Sequence, residues 1–207
     1  QIVSGLDLGG GVQWIAYLLA SNLNSNRYRV IVCCLQNLGE LGEKLKELGI
    51  PVFVFNGRSS INPLHFPRNF FVMCSLIKLL RREKVQIVHT HEFFSGTLGR
   101  IAAMLAKTSI TILMLHTKDR WKTSIHILID KLLATWTDNI VANSHSVKKF
   151  IIRQYGGINT SDISVIHNGI DITRFHPYLS DRKVKVSNLD IEDSTPILLI
   201  GGRLAKE

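Results

Sequence analysis

Gly9-Gly10-Gly11-Val12-Gln13-Trp14-Ile15-Ala16 is the stretch on which the fold turns. Before it, Ile2-Val3 ends a short apolar strand. After it, Val12, Ile15, Ala16, Leu19 and Leu23 recur at helical spacing. Strand, glycine turn and helix in that order open a βαβ unit. Three glycines let the backbone come close to a ligand. The helix start adds unpaired N–H groups and the positive end of its dipole, so the loop reads as a phosphate site, with a plain tight turn as the alternative.

The same rhythm continues along the chain. Strands are expected at Tyr28 to Leu35, Pro51 to Phe55, Val85 to His89, Ile110 to Leu115, Asn139 to Ala142 and Ile163 to Ile166. Helical spacing lies between them: Leu41 to Leu48, Phe70 to Lys84, Leu98 to Leu105, Ile125 to Trp136, and a helix through Val147 and Ile151 capped by Ser144 or Ser146. Continuous apolar strands between helices describe a parallel sheet covered on both faces, a Rossmann-like α/β fold. The polar run from Tyr178 to Thr195 reads as a linker, and Pro196 to Ile200 as an eighth strand that begins a second domain. The expected organisation is a first domain over 1–177, a linker over 178–195 and the first strand of another domain over 196–207. A chain that opens on Gln1 and stops at Glu207 without a capping signal reads as a piece of a longer protein.

The chain has 207 residues, 45% hydrophobic and 20% charged, which excludes disorder. Cys33, Cys34 and Cys74 are odd in number and read as reduced core thiols rather than a disulfide framework. No apolar run approaches the ~18 residues that cross a bilayer, and no signal peptide is visible, so a cytoplasmic setting is expected. The formal charge is +9. It is spread out, without the basic-aromatic interleaving or zinc-finger spacing of nucleic-acid binders. The Phe70 to Lys84 helix places Arg68, Ser75, Lys78 and Arg82 on one side near Phe71 and Leu79. Such a face can rest on an anionic membrane; a solvated surface helix is the alternative. Asn159-Thr160-Ser161 fits a glycosylation sequon with no other sign of secretion.

Two phosphate chemistries fail on the residues. Trp14 stands where a dinucleotide fingerprint needs its third glycine, and Cys34-Leu35-Gln36-Asn37 offers no acid for a ribose. Gly11 is followed by Val12-Gln13 rather than by the Lys-Ser/Thr of a nucleotide-hydrolysing loop. Ligands of an open parallel sheet bind beyond the carboxyl ends of the strands. His89-Thr90-His91-Glu92 and His116-Thr117 belong to that crevice. His89, His91 and His116 could together hold a metal, with Glu92 and Asp119 as candidate carboxylates. Alternatively His89 is a hydrogen-bonded structural residue. Arg203, after Gly201-Gly202, suits a diphosphate.

The ordered motifs resemble the amino-terminal half of glycosyltransferase family four, retaining enzymes with two facing Rossmann-like domains (the GT-B fold). They are Leu8-Gly9-Gly10-Gly11 with Leu18-Leu19-Ala20, Val88-His89-Thr90-His91 with Gly99-Arg100-Ile101-Ala102-Ala103, His116-Thr117, and Ala142-Asn143-Ser144. Ile166-His167-Asn168-Gly169-Ile170-Asp171 with Phe175 and Pro177, and Gly202-Arg203-Leu204, complete the set. The resemblance implies sugar transfer from a nucleotide-diphosphate sugar to a saccharide or glycolipid acceptor, in assembly of cell-surface polysaccharide or glycolipid. Gly10, Gly11 and Arg203 would bind the donor diphosphate. His116 would be the catalytic residue against the donor sugar. His91, Glu92 and Thr117 would line the acceptor side, and no metal or other cofactor would be needed. The family's lysine and paired glutamates would lie beyond Glu207, so the chain alone is expected to be inactive. A non-catalytic phosphate-ligand binding domain and a metal-dependent hydrolase are the competing readings.

Overall fold

The computed structural model describes residues 1–58, 66–157 and 160–173. Phe175, Pro177, the linker, the eighth strand, Asn159 of the sequon and Gly202-Arg203 lie outside the described residues. Gln1–Gly169 form one compact unit. Of the second unit, 170–173 are described, where the Thr173 N–H donates to Asp171 Oδ1 at 2.9 Å.

Strands and helices alternate: β1 Ile2–Gly5, α1 Gly11–Asn22, β2 Val32–Asn37, α2 Gly39–Glu47, β3 Val52–Val54, α3 Phe66–Arg82 and β4 Ile87–His91. The series continues with α4 Phe93–Ala106, β5 Ile110–Leu115, α5 Ser124–Ala134, β6 Asn139–Ala142, α6 His145–Tyr155 and β7 Ile163–Val165. All strand pairs are parallel, in the order β3-β2-β1-β4-β5-β6-β7. The sheet therefore reverses its winding between β1 and β4, and a crevice opens there at the strands' carboxyl ends.

Neighbouring strand residues point to opposite faces. Val3 and Cys34 pack under Ala16 and Ala20 of α1 and Leu41 and Leu45 of α2. Ile2 and Cys33 face the other way, against Leu76 and Leu80 of α3 and Ala102 and Ala103 of α4. Leu113 and Leu115 carry Val147, Ile151 and Tyr155 of α6. The expected parallel sheet with helices on both faces is what the chain forms. Helix α4 comes unusually close to it. A Cβ on Gly99 would stand 2.5 Å from Thr90 Cγ2, and one on Gly96 would stand 2.9 Å from Leu113 Cδ1.

Several local expectations shift. Strand β2 starts at Val32 because the Arg27 and Tyr28 N–H groups are used in a turn to the Asn24 carbonyl. Strand β4 runs two residues later than its apolar start implies. Val85 closes α3 through a bond to the Leu80 carbonyl, with Lys84 left-handed at φ 50°. Ser144, not Ser146, caps α6 by accepting from the Val147 N–H at 3.2 Å. Cys74 is exposed on α3 rather than in the core, whereas Cys33 and Cys34 are buried. Leu79 packs into the core, away from the basic side of α3.

Candidate active site

The carboxyl ends of β1, β4 and β5 enclose a cavity of about 650 Å³. Ser4 of β1 and Val12 of α1 form one side, Glu92, Phe93 and Phe94 the next, and His116, Thr117 and Asp119 another. Trp121, Ile125 and His126 complete its apolar wall. The glycine loop leads straight into this place. Gly10 is the extended residue before α1, with no side-chain cap, and no acidic residue occupies the helix's first turn. Val12, in the first turn of α1, lines the cavity; Gly10 and Gly11 come just before it, at a helix start without a side-chain cap where the Gln13 side chain lies against Gly10.

Parallel pairing sets His91 next to Met114, the residue two before His116. The two imidazoles then stack at 5.4 Å and 19°, and His91 Nδ1 lies 3.1 Å from His116 Nε2. His89 adds a third ring, 4.5 Å from that of His91. Burial pushes His89 and His116 down to about 4 and His91 well below its ordinary value. At neutral pH the stack is uncharged, and one ring donates to the other across the 3.1 Å contact. His116 Nδ1, His91 Nε2 and His89 Nε2 are buried without a hydrogen-bond partner. His89 is a buried residue stacked behind His91, and its Nε2 makes no hydrogen bond.

His116 and Thr117 reach the cavity as expected, and so does Glu92. His91 does not. It is fully buried behind His116, with Nδ1 against that ring, and does not line the cavity. Glu92 has φ 63°, a left-handed backbone at the junction of β4 and α4, where strain is tolerated when the surroundings enforce it. Burial pushes its carboxyl up, against a hydrogen bond with Ser4. Arg203 lies outside the described residues.

Two supports stand behind these residues. Asn143, at the end of β6, donates from Nδ2 to the His116 carbonyl at 2.9 Å and so fixes the end of β5. Asp119 accepts from the Thr117 hydroxyl at 2.7 Å and pairs with Lys122 at 2.9 Å. Lys122 is buried. It also pairs with Asp130 at 2.9 Å, and Asp130 in turn holds buried Arg100 and the Tyr155 hydroxyl, the latter at 2.7 Å. The Lys122 ammonium lies 5.1 Å from the centre of the Phe93 ring. A charged network thus ties α4, α5 and α6 to the cavity floor. Arg100 and Asp130 stand 30 residues apart, so no local spacing reveals them.

Among the described residues no group of three or more His, Cys, Asp or Glu side chains converges as a metal site. Also among the described residues, no helix is long and apolar enough to cross a membrane.

Known proteins share this fold. The chain is 30% identical over 138 residues to the UDP-Gal:alpha-D-GlcNAc-diphosphoundecaprenol alpha-1,3-galactosyltransferase of Escherichia coli, covering 64% of this chain and 35% of that protein. It is 22% identical over 135 residues to the alpha-maltose-1-phosphate synthase of Mycolicibacterium smegmatis, covering 60% and 35%. Its fold matches Anabaena Alr3699/HepE, crystallised in complex with UDP, with a TM-score of 0.61, 21% identity, and coverage of 84% of this chain and 45% of that one. The chain spans about a third of the length of the curated relatives it matches. The sequence profile of Glycosyltransferase Family 4 matches residues 9–174, from the glycine loop past the last described strand, and the chain belongs to that family.

Proposed function

We propose that this chain is the acceptor-binding part of a retaining glycosyltransferase. The whole protein moves a sugar from a nucleoside-diphosphate sugar to a saccharide or lipid-linked acceptor in cell-surface polysaccharide or glycolipid assembly. One observation carries the reading: His116 and the open start of α1 meet at one cavity, at the switch point of the sheet. The E. coli relative, whose name gives a diphosphoundecaprenol acceptor, supports it.

In this reading the Gly10 and Gly11 N–H groups face the donor diphosphate, with Arg203 neutralising charge as that group leaves. The bond from the sugar's anomeric carbon to the diphosphate breaks, the acceptor oxygen takes its place, and the acceptor proton departs with the diphosphate. His116, kept neutral by burial, lies against the donor sugar at the reacting centre without adding charge. Glu92 and Thr117 hold acceptor hydroxyls. No metal or other cofactor takes part. The protein works on the cytoplasmic side and touches an anionic membrane peripherally, where a lipid-linked acceptor is found.

The test is a transfer assay on the full-length protein, with uridine-diphosphate sugars and a polyprenyl-diphosphate sugar as acceptor. Product carrying the added sugar supports the reading. Tight binding of uridine diphosphate with no transfer to any acceptor moves the protein to the binding-module reading.

A further inference from the structure

Helix α5 is apolar on two sides. Its inner side carries buried Leu133, along with Asp130. Its outer side carries Ile125, Leu128 and Leu132, exposed by 66%, 56% and 55%. Spacings of three and four place them on one stripe. Trp121 just before the helix and Trp136 just after it are exposed by 59% and 56%. A helix on the surface of a soluble protein turns polar side chains outward, and this one does the reverse. The exposed stripe amounts to on the order of 500 Å² of apolar surface, at the upper end of what monomers show and the size of an interaction site.

Charge around the stripe is mostly positive. From Lys118 to Asp138 the acidic residues are Asp119, Asp130 and Asp138; the first two are turned inward onto Lys122, and Asp138 accepts from the Thr111 N–H at 2.7 Å. Lys118, Arg120 and Lys131 are exposed. A second copy meeting this face about a two-fold axis would set positive charge against positive charge. An anionic lipid surface complements it. Indole rings at both ends suit the headgroup layer, where an apolar body and an N–H are both accommodated. An 11-residue helix is about 16 Å long, too short to cross a bilayer and suited to lying in its surface. Trp121 and Ile125 also line the cavity, so the stripe begins at the cavity wall.

We propose that the outer face of α5, with Trp121 and Trp136, docks into the headgroup layer of an anionic bilayer and sets the cavity against it. The inference rests on the lipid-linked acceptor reading and names the surface that reading needs.

The experiment is sedimentation of the full-length protein with vesicles of phosphatidylethanolamine and phosphatidylglycerol, and with phosphatidylcholine vesicles. The comparison is the double variant Leu128→Gln, Leu132→Gln, which leaves the cavity wall intact. The expected result is binding to the anionic vesicles, at least about tenfold weaker in the double variant, which gives up the burial of two leucines. An unchanged circular dichroism spectrum and unchanged transfer to a water-soluble acceptor establish that the variant is folded. Brominated lipids should also quench indole fluorescence in a Trp14→Phe background. Equal binding by wild type and variant overturns the proposal, as does no binding. A dimer that the double variant dissociates, without vesicle binding, assigns the face to a second copy and overturns it too. Vesicle binding is read without sugar transfer. Stripe-dependent binding by a protein that transfers nothing upholds the surface while the transferase reading falls, and transfer to a soluble acceptor without vesicle binding does the opposite.

Discussion

His91 Nδ1 stands 3.1 Å from His116 Nε2, across two neighbouring parallel strands. One histidine is wholly buried and the other lines the cavity, so the inner ring dictates the orientation of the outer one. Two separable effects should follow in the full-length protein. His116→Ala should lower kcat by about 100-fold or more, the scale of a lost transition-state hydrogen-bonding group, with the fold intact. His91→Phe should lower kcat less and leave acceptor KM nearly unchanged, because it touches no substrate. Steady-state kinetics decide. Unchanged turnover in His116→Ala removes that residue from the site, and a large KM effect in His91→Phe would mean that it reaches the acceptor after all.

Asp130 carries the core charge network. Replacing it by Ala strands buried Arg100 without a counter-charge and leaves buried Lys122 with Asp119 alone, and the loss of a buried pair's partner costs about 3–5 kcal/mol. Tyr155→Phe removes one hydrogen bond to the same carboxylate and should cost about 1.5–3 kcal/mol. Urea unfolding of the two variants gives the ranking. A Tyr155→Phe protein less stable than Asp130→Ala would place the weight on the ring's packing rather than on the carboxylate.

The strands at Ile110 to Leu115 and Asn139 to Ala142 were legible to the residue, because each is an apolar run bounded by polar turns. Strand β4 was not, because Val85 is apolar yet spends its N–H closing α3. The start of α4 at Phe93 was hidden for a related reason. Glu92 is neither glycine nor a capping residue, and its left-handed backbone is enforced by its surroundings. The aromatic side of the cavity followed from that start and was missed with it. His116, Thr117 and Glu92 were legible because strand ends in this topology converge. The burial of His91 depends on its register against Met114, which one strand's sequence does not contain.

Acid should destabilise the fold earlier than carboxylate titration alone would. The folded His89 and His116 have pKa values of about 4, against an ordinary 6.5. Between those values the unfolded chain binds protons that the folded chain does not, so stability falls as pH drops from 6.5 toward 4. Each such group steepens the fall by up to ~1.4 kcal/mol per pH unit. Urea midpoints at pH 7 and pH 5 should differ clearly, and His116→Gln should lessen the difference. A midpoint that does not move between those pH values would show that the stack is not held neutral.

Thiol chemistry offers a test of the sheet. Cys33 and Cys34 lie on opposite faces of β2, and burial pushes them up to about 11 and about 12, so neither supplies thiolate at neutral pH. Cys74 is on the exposed side of α3. A disulfide reagent such as dithionitrobenzoate should modify one thiol in the native protein and all three in denaturant. Cys74→Ser should leave none reactive until the protein unfolds, and the rate of reaction at Cys33 and Cys34 then reports the opening of the central strands. Rapid native modification of a second thiol would mean that β2 is open to solvent, against the packing of Cys34 beneath Ala16 and Leu41 and of Cys33 beneath Leu76.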